Sequence, residues 1–170
     1  MDNRRKDMTA TKEQTKVDVG LSKQAIDEIA THLNKYLSSL SILYTKLHNY
    51  HWNVEGENFF TLHEVLEGLY NAVHEETDEV AERVLKIGAR PVAKTEEFLK
   101  LSEIAEAESR GIDGAAVADA LISDYKTLVN QLRTLIEVAQ NHGDEGTADD
   151  AVGFLKDKEK QVWMLTAFKG

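Results

Sequence analysis

Residues 51–70 read HWNVEGENFFTLHEVLEGLY and lie between two stretches with helical apolar spacing. Before them, apolar residues recur every three or four positions, which is typical of one face of an α-helix. The same spacing resumes after the turn and ends before Gly88, a residue that often stops helices. The stretch therefore predicts two long helices, at about 22–50 and about 59–87, joined by a short turn.

The rest of the chain continues the helical pattern. A third helix is expected to begin after Asp113 and stop at Gly143, and a fourth to cover about 148–167. A short helix at about 95–101 would lie in the crossover between the second and third. The expected N-caps are Ser22, Asp113 and Thr147. The pattern contains no strand and predicts an all-α four-helix bundle over residues 21–170, preceded by a polar tail at 1–20.

The composition limits the classes of protein to which the chain can belong. Its 170 residues are 42% apolar, which suffices for one domain with its own core. No apolar run approaches the roughly 18 residues that span a membrane, and the N-terminus lacks the apolar region of a secretory signal. Absence of cysteine excludes disulfides and thiolate chemistry and fits a reducing cytoplasm. The formal net charge of −10 would repel nucleic acid, unless a basic patch or a metal ion mediates the contact.

Histidines and carboxylates flank the apolar stripe of the second predicted helix. His63 and Glu67 are one turn apart, and Asp78 and Glu82 repeat that spacing. All four share one side of the helix, where burial would be costly without a cation. One helix cannot gather them around a metal ion, because Glu67 and Asp78 lie about 16 Å apart along its axis.

A second copy of the helix removes this distance problem. If two copies pack antiparallel about a twofold axis near residues 72–73, His63 faces the partner's Glu82. Glu67 then faces the partner's Asp78, and two identical sites form at once.

His51 lies at the end of the first helical stripe and adds a second imidazole. The candidate ligands are His51, His63 and Glu67 from one subunit, with Asp78 and Glu82 from the other. Mixed imidazole and carboxylate ligands suit iron, manganese or zinc better than magnesium or calcium. Acids four residues apart are also common on a solvated helix face, so a purely structural bundle that binds no metal is the alternative interpretation.

The motif H-W-N-V-x-G-x-x-F-x-x-L-H-E begins at His51, and D-x-x-A-E-R follows fifteen residues after His63. In these motifs, and over about residues 25–168, the chain resembles the Dps family, the DNA-binding proteins from starved cells. The resemblance implies a ferritin-like bundle that assembles into a hollow dodecamer. It also implies oxidation of iron with hydrogen peroxide and storage of ferric mineral, which keeps iron from forming hydroxyl radicals near DNA.

The family's ferroxidase ligands lie between two subunits and correspond to His51, His63, position 67, Asp78 and Glu82. Classical ferritins instead build the site within one subunit from Glu-x-x-His helices, a motif that this chain lacks. Dps proteins usually have aspartate where this chain has Glu67. The extra methylene moves the carboxylate by about 1.5 Å, whereas coordination tolerates a few tenths. Glu67 either reaches the metal in another rotamer or leaves the site half-occupied, mononuclear or slow.

Further roles follow from the resemblance. Trp52 is expected near the site as an interceptor of oxidising radicals, with core packing as the alternative. Asp144 and Asp149 are expected to ring a threefold pore that attracts Fe²⁺. Alternatively, these acids favour the positive N-terminal end of the last helix.

The N-terminal tail is the expected contact for DNA. Its basic residues are Arg4, Arg5, Lys6, Lys12 and Lys16. Neighbouring acids reduce its side-chain charge to about +1, which is weak for phosphate binding, although many tails on one shell gain avidity. A tail that only aids solubility is the alternative.

The resemblance, together with the residue pattern, implies a ferroxidase and iron store of a bacterial cytoplasm, with iron as the metal and DNA as the molecule it protects. The competing hypothesis is a shell that compacts DNA in the nucleoid with little oxidase activity, since Glu67 departs from the family pattern.

Overall fold

This computed structural model describes residues 17–170. These residues form five helices, two very short strands and the loops that join them. The helices are α1 (Lys23–Asn53), α2 (Phe59–Lys86), α3 (Thr95–Leu101), α4 (Gly114–Asn141) and α5 (Glu145–Lys169). α1 packs against α2 and α4, α4 packs against α5, and the short α3 lies on α1. The predicted four-helix bundle with a short helix in its crossover is confirmed. Within the described residues, no helix is long and apolar enough to cross a membrane.

Two of the expected N-caps are confirmed. Ser22 Oγ accepts a hydrogen bond from the amide of Ala25 at 3.1 Å. Asp113 Oδ1 accepts hydrogen bonds from the amides of Ala115 and Ala116, each at 3.0 Å. Each cap satisfies amides that have no partner in the first turn of a helix.

The prediction that Thr147 caps the last helix is wrong. The N-cap is Asp144, so α5 begins at Glu145, earlier than expected. Asp144 Oδ1 accepts a hydrogen bond from the amide of Thr147 at 3.1 Å and another from Arg83 Nη2 at 2.5 Å. A carboxylate cap is favoured by the positive end of the helix and by this guanidinium, which α2 supplies.

A short strand pair, absent from the sequence prediction, anchors the turn between α1 and α2. β1 (Val54–Glu55) pairs in parallel with β2 (Ile112–Asp113). Two residues per strand are too few to leave an alternating pattern, so periodicity could not predict them. Gly56 follows with a φ of 103°, a conformation that glycine adopts without strain, and turns the chain into α2.

The core is formed by the apolar faces of the four long helices. Its largest fully buried side chains are Tyr36, Tyr125, Ile29, Leu37, Leu40, Leu43, Leu47, Leu66, Ile87, Leu121, Leu128 and Leu132. Each buried leucine or isoleucine contributes roughly 1.5–3 kcal/mol relative to an exposed side chain. The apolar stripes read from the sequence therefore do point inward.

Two ion pairs are buried between helices. Glu76 on α2 accepts hydrogen bonds from the Tyr36 hydroxyl on α1 and from Lys158 Nζ on α5. Lys46 Nζ on α1 lies 2.7 Å from Asp124 Oδ2 on α4. Burial, and then the Glu76 carboxylate, raise the pKa of Tyr36 well above its ordinary value of 10.0. Tyr36 therefore keeps its proton and remains a donor to Glu76.

Replacing Lys158 with alanine should destabilise the protein by about 3–5 kcal/mol, because the buried Glu76 carboxylate loses its cation. Chemical denaturation followed by circular dichroism measures this change. Lys156 lies on the same helix with an exposed side chain, so Lys156→Ala should change stability by no more than about 0.5 kcal/mol. Equal losses in the two variants would contradict the stabilising role of the buried pair.

Candidate metal centre

The turn between α1 and α2 brings together two histidines from neighbouring helices. His51 lies in the last turn of α1, and His63 lies near the start of α2. Their rings stack with centroids 3.7 Å apart and an interplanar angle of 21°. His51 is buried and His63 is half-buried.

Each imidazole is held by the backbone of the other residue. Nδ1 of His51 donates a hydrogen bond to the carbonyl oxygen of His63 at 2.8 Å, and Nδ1 of His63 donates to the carbonyl oxygen of His51 at 2.9 Å. Because a carbonyl oxygen only accepts, the proton of each neutral ring lies on Nδ1. The lone pair of each Nε2 is then available, as it is in histidines that bind metal ions.

The predicted carboxylate ligands do not gather around these histidines within one chain. Glu67, Asp78 and Glu82 are all exposed on α2. Across residues 17–170, no three His, Asp or Glu side chains are close enough to hold a metal ion. Glu82 Oε2 accepts a hydrogen bond from Lys86 Nζ at 3.0 Å. One chain thus supplies a pair of imidazoles, the Glu67 carboxylate one turn after His63, and a separate pair of carboxylates further along α2.

Aromatic rings extend from the histidine pair along the surface shared by α1 and α2. Tyr70 meets the His51 ring at 85°, with centroids 5.4 Å apart, and stacks on His48 at 3.9 Å. Tyr44 lies 6.4 Å from Tyr70 and 4.5 Å from His48. The sequence-based set of site residues does not include Tyr70. Its position one turn after Glu67 is a signal that could have found it.

Tyr70 and Trp52 differ in their relation to the histidine pair. Partial burial raises the pKa of Tyr70 above its ordinary value of 10.0, and the Glu67 carboxylate raises it further. Trp52 is 70% exposed, and its ring lies 5.4 Å from that of His48. Interception of radicals by Trp52 stays a prediction.

The two aspartates predicted to line a pore have different surroundings. Asp144 is only 5% exposed, and its carboxylate is engaged by Arg83 and by the amide and hydroxyl of Thr147. This geometry favours the alternative, a helix cap, for Asp144. Asp149 is exposed on the first turns of α5 and stays a candidate for the pore.

The residues predicted to contact DNA lie outside the described part of the chain. They are Arg4, Arg5, Lys6, Lys12 and Lys16.

Comparison with known proteins places this geometry in a family. Residues 30–169 match the family described as "Ferritin-like domain". DNA protection during starvation protein 2 from Bacillus anthracis is 43% identical over 148 residues, which cover 87% of this chain and 98% of that relative. The crystal structure of a Dps protein from Bacillus brevis matches with a TM-score of 0.85 and 39% identity, covering 88% of this chain and 100% of that one.

A Dps protein from Vibrio cholerae O1, described as a member of a broad superfamily of ferritin-like diiron-carboxylate proteins, matches with a TM-score of 0.86 and 33% identity. The match covers 92% of this chain and 99% of that one. The resemblance read from the sequence motifs is confirmed. The chain belongs to the ferritin-like domain family and, within it, to the Dps proteins.

Proposed function

We propose that this Dps protein is a ferroxidase that oxidises its substrate Fe²⁺ at sites shared by two subunits and stores ferric iron inside a dodecameric shell. The observation that carries the proposal is the pair His51 and His63. Each ring donates its Nδ1 proton to the backbone carbonyl of the other residue, which leaves each Nε2 available to a metal ion. Imidazole and carboxylate ligands together suit iron. Carboxylates also stabilise Fe³⁺ more than Fe²⁺, because the attraction grows with the charge of the ion.

The second half of each site comes from another copy of α2, packed antiparallel on the first. With the twofold axis near residues 72–73, His63 faces the partner's Glu82. Glu67 faces the partner's Asp78 in the same register. The exposure of these carboxylates in the single chain supports this arrangement, since they are free to meet a partner.

Two exposed apolar residues of α2 support the same register. Phe60 is 85% exposed and Leu85 is 42% exposed. Both project from the side of the helix that carries Glu67 and Asp78. They are equally far from the proposed axis in opposite directions, so each Phe60 meets the partner's Leu85 at one end of the contact. Burial of these side chains would favour association through the hydrophobic effect.

The proposed chemistry explains how iron oxidation protects DNA. Hydrogen peroxide takes up two electrons and two protons, and two Fe²⁺ ions supply one electron each, so that the products are two Fe³⁺ ions and two water molecules. No hydroxyl radical is released when both electrons arrive at one site. The name of the Bacillus anthracis relative, a DNA protection during starvation protein, is consistent with this role.

Entry of iron into the shell requires a path through its wall. We assign Asp149 to a threefold pore, where exposed carboxylates attract Fe²⁺. We do not assign Asp144 to the pore, because its carboxylate accepts hydrogen bonds from Arg83 and from the Thr147 hydroxyl and caps α5.

Complementation between two inactive variants tests whether the site is shared. His63→Ala and Asp78→Ala should each abolish fast formation of ferric absorbance after addition of Fe²⁺ and peroxide, since each breaks every site. Co-expression of both should restore about a quarter of the parent activity, because half of randomly formed dimers are mixed and each mixed dimer holds one intact site. A mixture as inactive as the single variants would contradict a site built from two subunits.

Phe60→Glu should weaken the twofold contact, because it places a charge where an apolar ring is buried. Light scattering should show smaller assemblies, and iron oxidation should fall with them. Val65→Glu is the matched control, since Val65 is also exposed on α2 but projects from another side. Intact assembly of the Phe60→Glu variant would contradict the proposed register.

Glu67→Asp should accelerate iron oxidation severalfold, because the shorter side chain places its carboxylate where a second iron can bind. Stopped-flow absorbance measures the rate, and anaerobic titration measures the number of Fe²⁺ ions bound per site. Glu64→Asp makes the same chemical change at an exposed neighbour and should leave both quantities unchanged. An unchanged rate in Glu67→Asp would show that Glu67 already serves as well as aspartate.

A further inference from the structure

A ferroxidase site that holds one Fe²⁺ meets a mismatch in the number of electrons. Reduction of hydrogen peroxide to water takes two electrons, whereas a single Fe²⁺ supplies only one. Reduction by one electron alone releases a hydroxyl radical. Every site passes through single occupancy when iron is scarce, so the mismatch arises even where two irons can bind.

We propose that Tyr70 supplies the second electron when peroxide reacts at a site that holds one Fe²⁺, an inference that rests on the ferroxidase function proposed above. The Tyr70 ring meets the ring of His51, a proposed iron ligand, with centroids 5.4 Å apart. Phe59 lies at a similar distance from His63, 5.2 Å, but its ring is much harder to oxidise. Among residues 17–170, the rings beside the histidine pair are thus Tyr70 and Phe59, and of these two Tyr70 is the one that is readily oxidised.

The protons of the reaction come from the phenol and from solvent. Oxidation of Tyr70, which is only half-buried, releases one electron and the phenolic proton, and both pass to the peroxide. One further proton comes from solvent. Fe²⁺ becomes Fe³⁺, Tyr70 becomes a neutral tyrosyl radical, the O–O bond breaks, and the two oxygen atoms of the peroxide become two water molecules.

A later Fe²⁺ completes the cycle. It reduces the tyrosyl radical, and the phenol recovers a proton from solvent. Over both steps, two Fe²⁺ ions, one peroxide and two protons give two Fe³⁺ ions and two water molecules. The stoichiometry equals that of a site with two irons, but the two irons react one after the other.

The surroundings of Tyr70 suit temporary storage of a radical. Its ring stacks on His48 at 3.9 Å, and Tyr44 covers another side at 6.4 Å. Tyr70 itself is half-buried, whereas Trp52 is 70% exposed and lies beyond His48. The position of Tyr70 between the ligand and the outer rings makes it the first donor.

Freeze-quench electron paramagnetic resonance tests the proposal on the assembled protein loaded with one Fe²⁺ per site and mixed with one equivalent of peroxide. The parent should give an organic-radical signal that narrows when its tyrosines are ring-deuterated. Tyr70→Phe, which keeps the ring that packs on His51, should lose most of this signal. Spin trapping should then detect severalfold more hydroxyl radical than in the parent. In a Glu67→Asp background loaded with two Fe²⁺ per site, the added Tyr70→Phe substitution should not raise the yield of trapped hydroxyl radical.

Trp52→Phe and Tyr44→Phe are the matched controls and should retain the early radical signal. An undiminished signal and unchanged spin-trap yield in Tyr70→Phe would overturn the role of Tyr70 while ferric absorbance still formed. Loss of the signal in Trp52→Phe but not in Tyr70→Phe would overturn it as well. A parent that forms no ferric absorbance would overturn both this inference and the proposed ferroxidase function, so the two failures are distinguishable.

Discussion

Two hydrogen bonds between imidazoles and backbone carbonyls hold together the end of the bundle that carries the histidine pair. Because His51 and His63 each bond to the backbone of the other, the end of α1 and the start of α2 cannot separate without the loss of both bonds. The same bonds fix both tautomers and the stacking of the rings. Tyr70, which packs on His51, therefore depends on them for its place beside the site.

In the proposed dimer, the acidic face of α2 would make assembly and metal binding interdependent. Glu67 and Asp78 are exposed, and the chain has a formal net charge of −10. The proposed antiparallel contact would gather carboxylates from both copies and remove part of their hydration, which is unfavourable without a cation. A metal ion that binds only the assembled form stabilises that form. The proposed apolar contact between Phe60 and the partner's Leu85 would not depend on charge, so the dimer could form before iron binds.

The sequence predicted those features that a regular helix converts directly into geometry. Spacing along one helix placed His63 and Glu67 on one side of α2, and apolar periodicity located the long helices. Features that depend on distant parts of the chain were missed. Asp144 caps α5 in preference to Thr147, and Arg83 from another helix contributes to that preference. The hydrogen bond from the His63 ring to the His51 carbonyl depends on the path of the turn, which the residue pattern does not encode.

The acids of α2 show why spacing alone cannot separate structural from chemical carboxylates. Glu76 lies between Glu67 and Asp78 in a region equally rich in acids, yet it is buried and receives Lys158 from α5. Only the direction of each side chain distinguishes them, because Glu76 points toward the bundle and the other two point away from it. The cation for Glu76 comes from within the chain. For Glu67 and Asp78, residues 17–170 provide no ion pair, and a metal ion shared with a second subunit is the cation that would balance their charge.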